Sequence, residues 1–313
     1  MIHQQMEYIY TIYEFGSIRQ AADHLCITQP ALSIALRKAE EELGEQIFDR
    51  GKHPLEPTPA GRIYINGIKQ IHQIEDNIKA EIADLAEMNT GSVTIGGTQY
   101  FISYILPDIL KEHMRLYPKI QLSIVEANSD QILKKLLNNQ IDLLISAKHF
   151  HSDKFIVFPI FQEMILIAVS RSLITDPGLL AWGITRQDII SGRYVDMADL
   201  DELRLLKPLP FIVMEKGSNL HEISMGFFSA AGIEPNICMK VEHLATAHYF
   251  SLHGLGATFT TKKLIENSAD SDTLYFKIGR APMIRNFNII VPRKHYLSKA
   301  TRKFMTLCES CLS

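Results

Sequence analysis

The spacing of apolar residues changes near Asn89-Thr90-Gly91, and that change calls for two different kinds of folding unit in one chain. Before it, apolar positions recur every three to four residues, as on the buried stripe of a helix. After it, short apolar runs of strand length alternate with helical stretches, the order that builds a mainly parallel sheet. A chain of 313 residues also exceeds what one ordinary core organises. The expected fold is therefore α/β overall, with an all-α amino-terminal part.

In the first part, Met6, Ile9, Tyr10 and Tyr13 mark a helix that stops at Gly16. Ser17 opens a capping pattern for a second helix with Ala21, Ala22 and Leu25 inside. Thr28, with Pro30 in the first turn, starts a third, whose buried side is Leu32, Ala35, Leu36 and Ala39. Gln29, Ser33 and Arg37 fall on its opposite face, so the pair reads as a helix-turn-helix. Residues 49–58 are rich in turn formers and read as a hairpin or wing with Arg50, Lys52 and His53 at its tip.

Thr58-Pro59 then begins a long helix extending to about Met88. Tyr64, Ile68, Ile71, Ile78, Ile82 and Leu85 form a heptad-like seam that Glu75 interrupts and Ile74 can cover, pointing to a dimer. Packing of this helix onto its own domain is the alternative.

Charge does not advertise a nucleic-acid binder. The formal net charge is −3, and residues 1–65 hold six Lys/Arg against nine Asp/Glu. No apolar run approaches the length of a membrane span, and the start has neither a basic region nor an apolar signal core, so a cytoplasmic protein without membrane contact is expected. Cys26, Cys238, Cys308 and Cys311 are too few for a disulfide framework. Cys308 and Cys311 form half of a zinc ligand set at most, and His149 and His151 read as loop residues, so no metal or cofactor is expected.

Gly16-Ser17-Ile18-Arg19-Gln20-Ala21-Ala22, Thr28-Gln29-Pro30-Ala31-Leu32-Ser33, Glu41-Glu42-Leu43-Gly44, Ile47-Phe48-Asp49-Arg50 and Thr58-Pro59-Ala60-Gly61 occur in order. Together they resemble the LysR-type transcriptional regulators, densely over residues 1–65 and more loosely beyond. Ile34-Ala35 departs from the family, which often has polar or basic residues there. The resemblance implies that Gln29, Pro30, Ser33, Arg37, Arg50, Lys52 and His53 face double-stranded DNA bearing inverted half-sites. It also implies homodimers paired into a tetramer, with RNA polymerase as a further candidate partner. The domains expected are a winged helix-turn-helix over 1–58, a linker and dimerisation helix over 59–90, and an effector-binding domain over 91–313.

That last domain reads as strands at Ser92–Gly96, Gln121–Glu126 and Ile141–Ser146, with a helix near Tyr104–Tyr117. A second α/β unit follows, with strands around Met164–Ala168, Arg193–Val195, Phe211–Met214, Asn236–Val241 and Ala257–Phe259. Thr273–Lys277 and Phe287–Val291 read as further strands and Leu297–Cys311 as a closing helix. By the resemblance these return to the first lobe, giving lobe I at about 91–163 and 269–313 and lobe II at about 164–268. Such a pair of lobes resembles periplasmic solute-binding proteins.

Ligands of such sheets sit at the carboxyl ends of strands. Thr98, Gln99, Tyr100, Asn128, Ser129 and Ser146 in lobe I, and Gly217, Ser218, Asn219, His243 and Thr246 in lobe II, are the candidates for a small polar or mildly anionic effector in a mostly neutral cleft. Two rival classes exist. An enzyme would require a motif, and no P-loop, GxSxG, HExxH or dinucleotide fingerprint is present. A solute-binding module would leave residues 1–88 without a purpose.

Overall fold

A computed structural model describes residues 2–85, 90–148, 150, 153–269, 272–279, 283–293 and 296–312. His149 and His151, and the expected end of the long helix at 86–88, lie outside the described residues. The chain divides into two compact units, Met1–Ile82 and Ala83–Ser313.

In the first unit, α1 (Ile2–Phe15), α2 (Ile18–His24) and α3 (Gln29–Leu43) are followed by two-residue strands β1 (Phe48–Asp49) and β2 (Glu56–Pro57) and the long α4 (Pro59–Leu85). The local punctuation acts as its chemistry requires. Ser17 and Thr28 accept hydrogen bonds from Gln20 N and Ala31 N, capping α2 and α3. Gly16 and Gly44 end α1 and α3 with φ of 60° and 76°. Ile9, Ile12, Ala21, Ala22, Leu32, Leu36, Ile47 and Phe48 pack with Ile65 and Ile68 of α4 into one core. Each large aliphatic or aromatic side chain so buried contributes about 1.5–3 kcal/mol. Gly61 makes the join possible: a Cβ there would stand 1.9 Å from the carbonyl oxygen of Ile47.

In the second unit, β3 (Gly91–Gly97), α5 (Gln99–Tyr104), α6 (Leu106–Leu116), β4 (Ile120–Glu126), α7 (Ser129–Leu137) and β5 (Leu143–Ser146) come first. The 16-residue β6 (Phe155–Ser170) leads to short helices α8 (Pro177–Leu180) and α9 (Arg186–Ile190). Then follow β7 (Pro210–Met214), α10 (Asn219–Ala230), β8 (Asn236–Val241), α11 (Leu244–Leu252), β9 (Ala257–Thr261), α12 (Lys262–Glu266), β10 (Thr273–Phe276), β11 (Ile284–Pro292) and α13 (Lys299–Leu312). Asp84 accepts from the first backbone N–H of α13, Lys299 N, at 2.8 Å and from the Tyr296 hydroxyl at 3.0 Å, so it caps that helix from a distant part of the chain.

The strands run in the order β4-β3-β5-β11-β6-β9-β7-β8, with β10 also on β6. β3, β4 and β5 are parallel, as are β7, β8 and β9, while β11 and β6 are antiparallel to their neighbours. β6 pairs with β11 through Met164 and with β9 from Ile165 onward, so it passes from one lobe to the other. This corrects three sequence expectations. The strand expected at Met164–Ala168 is only the second half of β6. β10, expected to return to the first lobe, pairs with Ile167–Ser170 and packs in the second. Arg193–Val195 is a 3-10 turn, entered through Gly192 at φ 80°, rather than a strand. Its Tyr194 and Val195 carbonyls accept from the Lys277 ammonium rather than from a neighbouring strand, so no ladder forms.

Candidate functional site

On α3, residues 29, 33 and 37 are spaced by four, so Gln29, Ser33 and Arg37 share one face while Leu32, Leu36 and Ala39 fill the core. Gln29, Pro30 and Arg37 are exposed and Ser33 is half-buried. Ile34, 66% exposed, shares the outer side of α3 as an apolar contact point. The wing residues are less independent than their spacing suggests. Arg50 Nη2 lies 2.7 Å from Glu40 Oε2, and the other oxygen of Glu40 accepts from Ile47 N at 2.9 Å. Arg50 thus ties the base of the wing to α3, although its side chain keeps 58% exposure. Lys52 is paired with Glu56 at 2.5 Å, and that partner holds its ammonium above the ordinary lysine range. His53 is exposed.

The expected dimer seam splits. Ile68 is buried in the amino-terminal core, so it is not available to a partner, and the half-buried Tyr64 packs against that core. Their turns of α4 close the helix-turn-helix, which overrides the heptad reading. Ile71 is half-buried, whereas Ile78 and Ile82 are exposed, together with Ile63 and Ile74. The side chain of Leu85 lies outside the described residues.

In the second unit a cleft of about 630 Å³ opens between the lobes. It is lined by Thr98, Gln99, Tyr100, Asn128, Ser129 and Ser146 from one side and by Gly217, Ser218, Asn219 and His243 from the other. Thr246, one turn into α11, does not line it. The amino-termini of α5, α7, α10 and α11 all border this space, because Thr98, Asn128, Ser218 and His243 are their cap residues. Their unpaired N–H groups give the region a positive bias.

Several polar side chains here are already committed. Asn128 and Ser218 accept from Gln131 N and His221 N as caps, and Ser146 accepts from Lys148 N. The Tyr100 hydroxyl donates to Glu163 and lies 2.8 Å from Thr261 Oγ1; burial and the Glu163 carboxylate push its pKa far up, so it stays a neutral phenol. By contrast Gln99 Oε1 and Asn219 Oδ1 are enclosed without a partner.

Sequence reasoning missed the charges. Lys148, Lys216 and Arg285 line the cleft together with Glu126, Asp130, Glu215 and Glu242, so the expectation of a mostly neutral lining is corrected. Lys148 follows β5 by two residues and was readable as a strand-end group. Arg285 carried no such signal, since its partner Glu163 lies 122 residues away. Among the described residues no group of three or more His, Cys, Asp or Glu is arranged to hold a metal. Cys308 is buried and Cys311 exposed; burial raises the Cys308 thiol well above its ordinary range and Cys238 more modestly.

Residues 3–62 match the family model for the bacterial regulatory helix-turn-helix protein, lysR family, and residues 86–312 match that for the LysR substrate binding domain. The chain is 25% identical over 309 residues to the HTH-type transcriptional regulator YcgK of Bacillus subtilis, covering 98% of this chain and 94% of that one. It is 27% identical over 255 residues to the DNA-binding transcriptional dual regulator OxyR of Escherichia coli, covering 82% and 77%. Among solved structures, full-length CbnR complexed with its target DNA matches with a TM-score of 0.66 at 19% identity over 99% of each chain. Full-length OxyR C199D of Pseudomonas aeruginosa gives 0.70 at 18% identity, covering 100% of this chain and 94% of that one. With an amino-terminal helix-turn-helix and a two-lobed substrate-binding domain matched along nearly its whole length, the chain belongs to the LysR family of DNA-binding transcriptional regulators.

Proposed function

We propose that two copies of this chain bind inverted DNA half-sites through α3 and the wing, and that a small polar effector held in the interlobe cleft shifts how they sit on the operator. The observation that carries the reading is the outer face of α3. Gln29, Ser33 and Arg37 are presented there while the opposite face is locked into the core, leaving nothing inside the unit for them to do. Arg37 is free to engage a phosphate or guanine edge, and Ser33 to donate to either. Pro30, Arg50, Lys52 and His53 complete the surface, with Lys52 exchanging its exposed carboxylate partner for a phosphate and Arg50 offering the exposed part of its guanidinium while it keeps Glu40.

The proposed division is 1–58 for DNA binding, 59–90 for dimerisation and 91–313 for effector binding. Ile74, Ile78 and Ile82, exposed on α4 at intervals of four, supply the partner-facing stripe, with Ile71 beside them and Leu85 continuing the seam. Pairing of dimers into a tetramer, and contact with RNA polymerase at the promoter, extend the same reading. A chromosomal operator places the protein in the cytoplasm. No catalytic step is assigned: the cleft's groups bind and position, and none of the four cysteines lines the cleft.

A mobility-shift titration against DNA from upstream of the protein's own gene, at two salt concentrations with nonspecific competitor, tests this. A competitor-resistant, salt-sensitive shift at dimer stoichiometry is expected. Binding that competitor abolishes at every salt concentration, with or without a metabolite extract, sinks it.

A further inference from the structure

Arg285 is 7% exposed and faces Glu163 across paired antiparallel strands, where β6 passes between lobes. Its Nε donates to Glu163 Oε2 at 2.7 Å, and its Nη2 lies 2.6 Å from the same oxygen. The other oxygen of Glu163 is taken by the Tyr100 hydroxyl. A guanidinium carries five N–H donors, and a forked carboxylate clasp would spend two of them on two oxygens. Here a single oxygen is reached, and Nη2 is enclosed without a hydrogen bond of its own. The group is electrically paired yet short of acceptors, a costly state for a buried donor.

Its flat faces lie against Tyr100 and Phe287, with ring centroids 4.5 Å and 4.9 Å away, and all three residues line the cleft. The other cations there are differently placed. Lys148 is spent on Asp130 at 2.9 Å and on the Gly217 carbonyl at 3.3 Å, and Lys216 is exposed to solvent. On the acceptor side, Gln99 donates through Nε2 to Ser103 Oγ at 3.4 Å and its enclosed Oε1 has no partner; Asn219 Oδ1 is enclosed and unfilled too.

We propose that Arg285 anchors a carboxylate of the ligand, and that this ligand also carries a hydroxyl or amino donor for Gln99 and Asn219: a small hydroxy- or amino-carboxylate. The assignment rests on the reading of the cleft as an effector site. Such a ligand supplies the acceptors that Arg285 lacks and the donors that the two amides lack. It also adds a second carboxylate to a guanidinium whose first partner belongs to the crossing strand, so occupancy bears on the strand pair joining the lobes.

Full-length protein should be titrated calorimetrically with 2-hydroxy- and 2-amino-carboxylates of three to five carbons, each beside its primary amide. At least one acid should bind, its amide at least about ten-fold more weakly. Arg285→Gln should abolish that binding and Arg285→Lys should keep part of it. An amide that binds as tightly as its acid, or an acid that binds Arg285→Gln unchanged, overturns the anchor while leaving an effector cleft in place. Failure of every acid overturns the ligand class, and if a wider set of neutral metabolites also leaves the protein and its DNA binding unchanged, the effector reading falls with it. Should Arg285→Gln not fold, the acid-to-amide comparison on the unaltered protein still decides.

Discussion

The two regions that meet other molecules hold their charge in opposite ways. On the wing, Lys52 and Glu56 stand in water, and Arg50 keeps 58% exposure although its partner Glu40 is buried. At the cleft, Arg285 and the Glu163 behind it are 7% and 9% exposed, with the guanidinium lying against two aromatic rings. An exposed pair is screened by salt and exchanges partners at small cost, which suits contact with a long polyanion. A buried pair is expensive to separate and fixed in direction, which suits the discrimination of one small molecule from another. The difference teaches that net charge, −3 for this chain, says little about either partner; the depth at which each charge is held says more.

The sharpest way to break the contrast is to remove the carboxylate behind the cleft. Glu163→Ala leaves the Arg285 cation buried without its partner and should cost about 3–5 kcal/mol, read as a lowered denaturant midpoint of the second unit. A midpoint within error of the wild type would mean that the pair is as weak as the wing's. Gly61→Ala asks whether the DNA-binding unit relies instead on close packing. Its new Cβ would meet the Ile47 carbonyl, so destabilisation by about 1–3 kcal/mol is expected, with loss of operator binding; an unchanged melting profile would refute the tight join.

Arg37→Ala should weaken operator binding by about ten-fold and reduce the salt dependence by roughly one ion, without changing stability. Unaltered affinity at low salt would remove Arg37 from the interface. The smallest effect is expected at His113, which is fully buried against Tyr117 and Phe304 with neither ring nitrogen hydrogen-bonded; burial lowers its pKa. Because the folded state disfavours the proton, its contribution is intact above about pH 6.5 and is lost as pH falls below that value, with a slope of at most about 1.4 kcal/mol per pH unit. His113→Phe should flatten that part of the stability profile, and an identical slope in the variant would assign it elsewhere.

What the sequence made legible follows the range of the interaction. Ser17, Thr28, Gly16 and Gly44 act within a few residues of themselves, so α1 to α3 could be read directly. The strand ends at Thr98, Asn128, Ser146 and Ser218 were readable for a similar reason, since each ends or closely follows its own strand and, at 98, 128 and 218, caps the helix that comes next. The seam on α4 was only half readable: Ile68 and Ile78 look alike in a heptad, and only the fold shows that the first is already covered. Arg285 and the second-lobe place of β10 depend on pairing across more than a hundred residues, which no local pattern encodes.

The continuity of β6 carries a mechanical consequence. One strand of 16 residues is shared by both halves of the sensing unit; it is bulged at Ile160, opposite Phe287 and Asn288, and changes its neighbour midway. A hinge made of loose loops would let the halves swing through wide angles at little cost. A shared strand restrains that swing, because any change of angle has to be taken up within it, at the bulge or where it changes partner. Relative motion of the lobes should therefore be a rotation of limited reach about the strand they share.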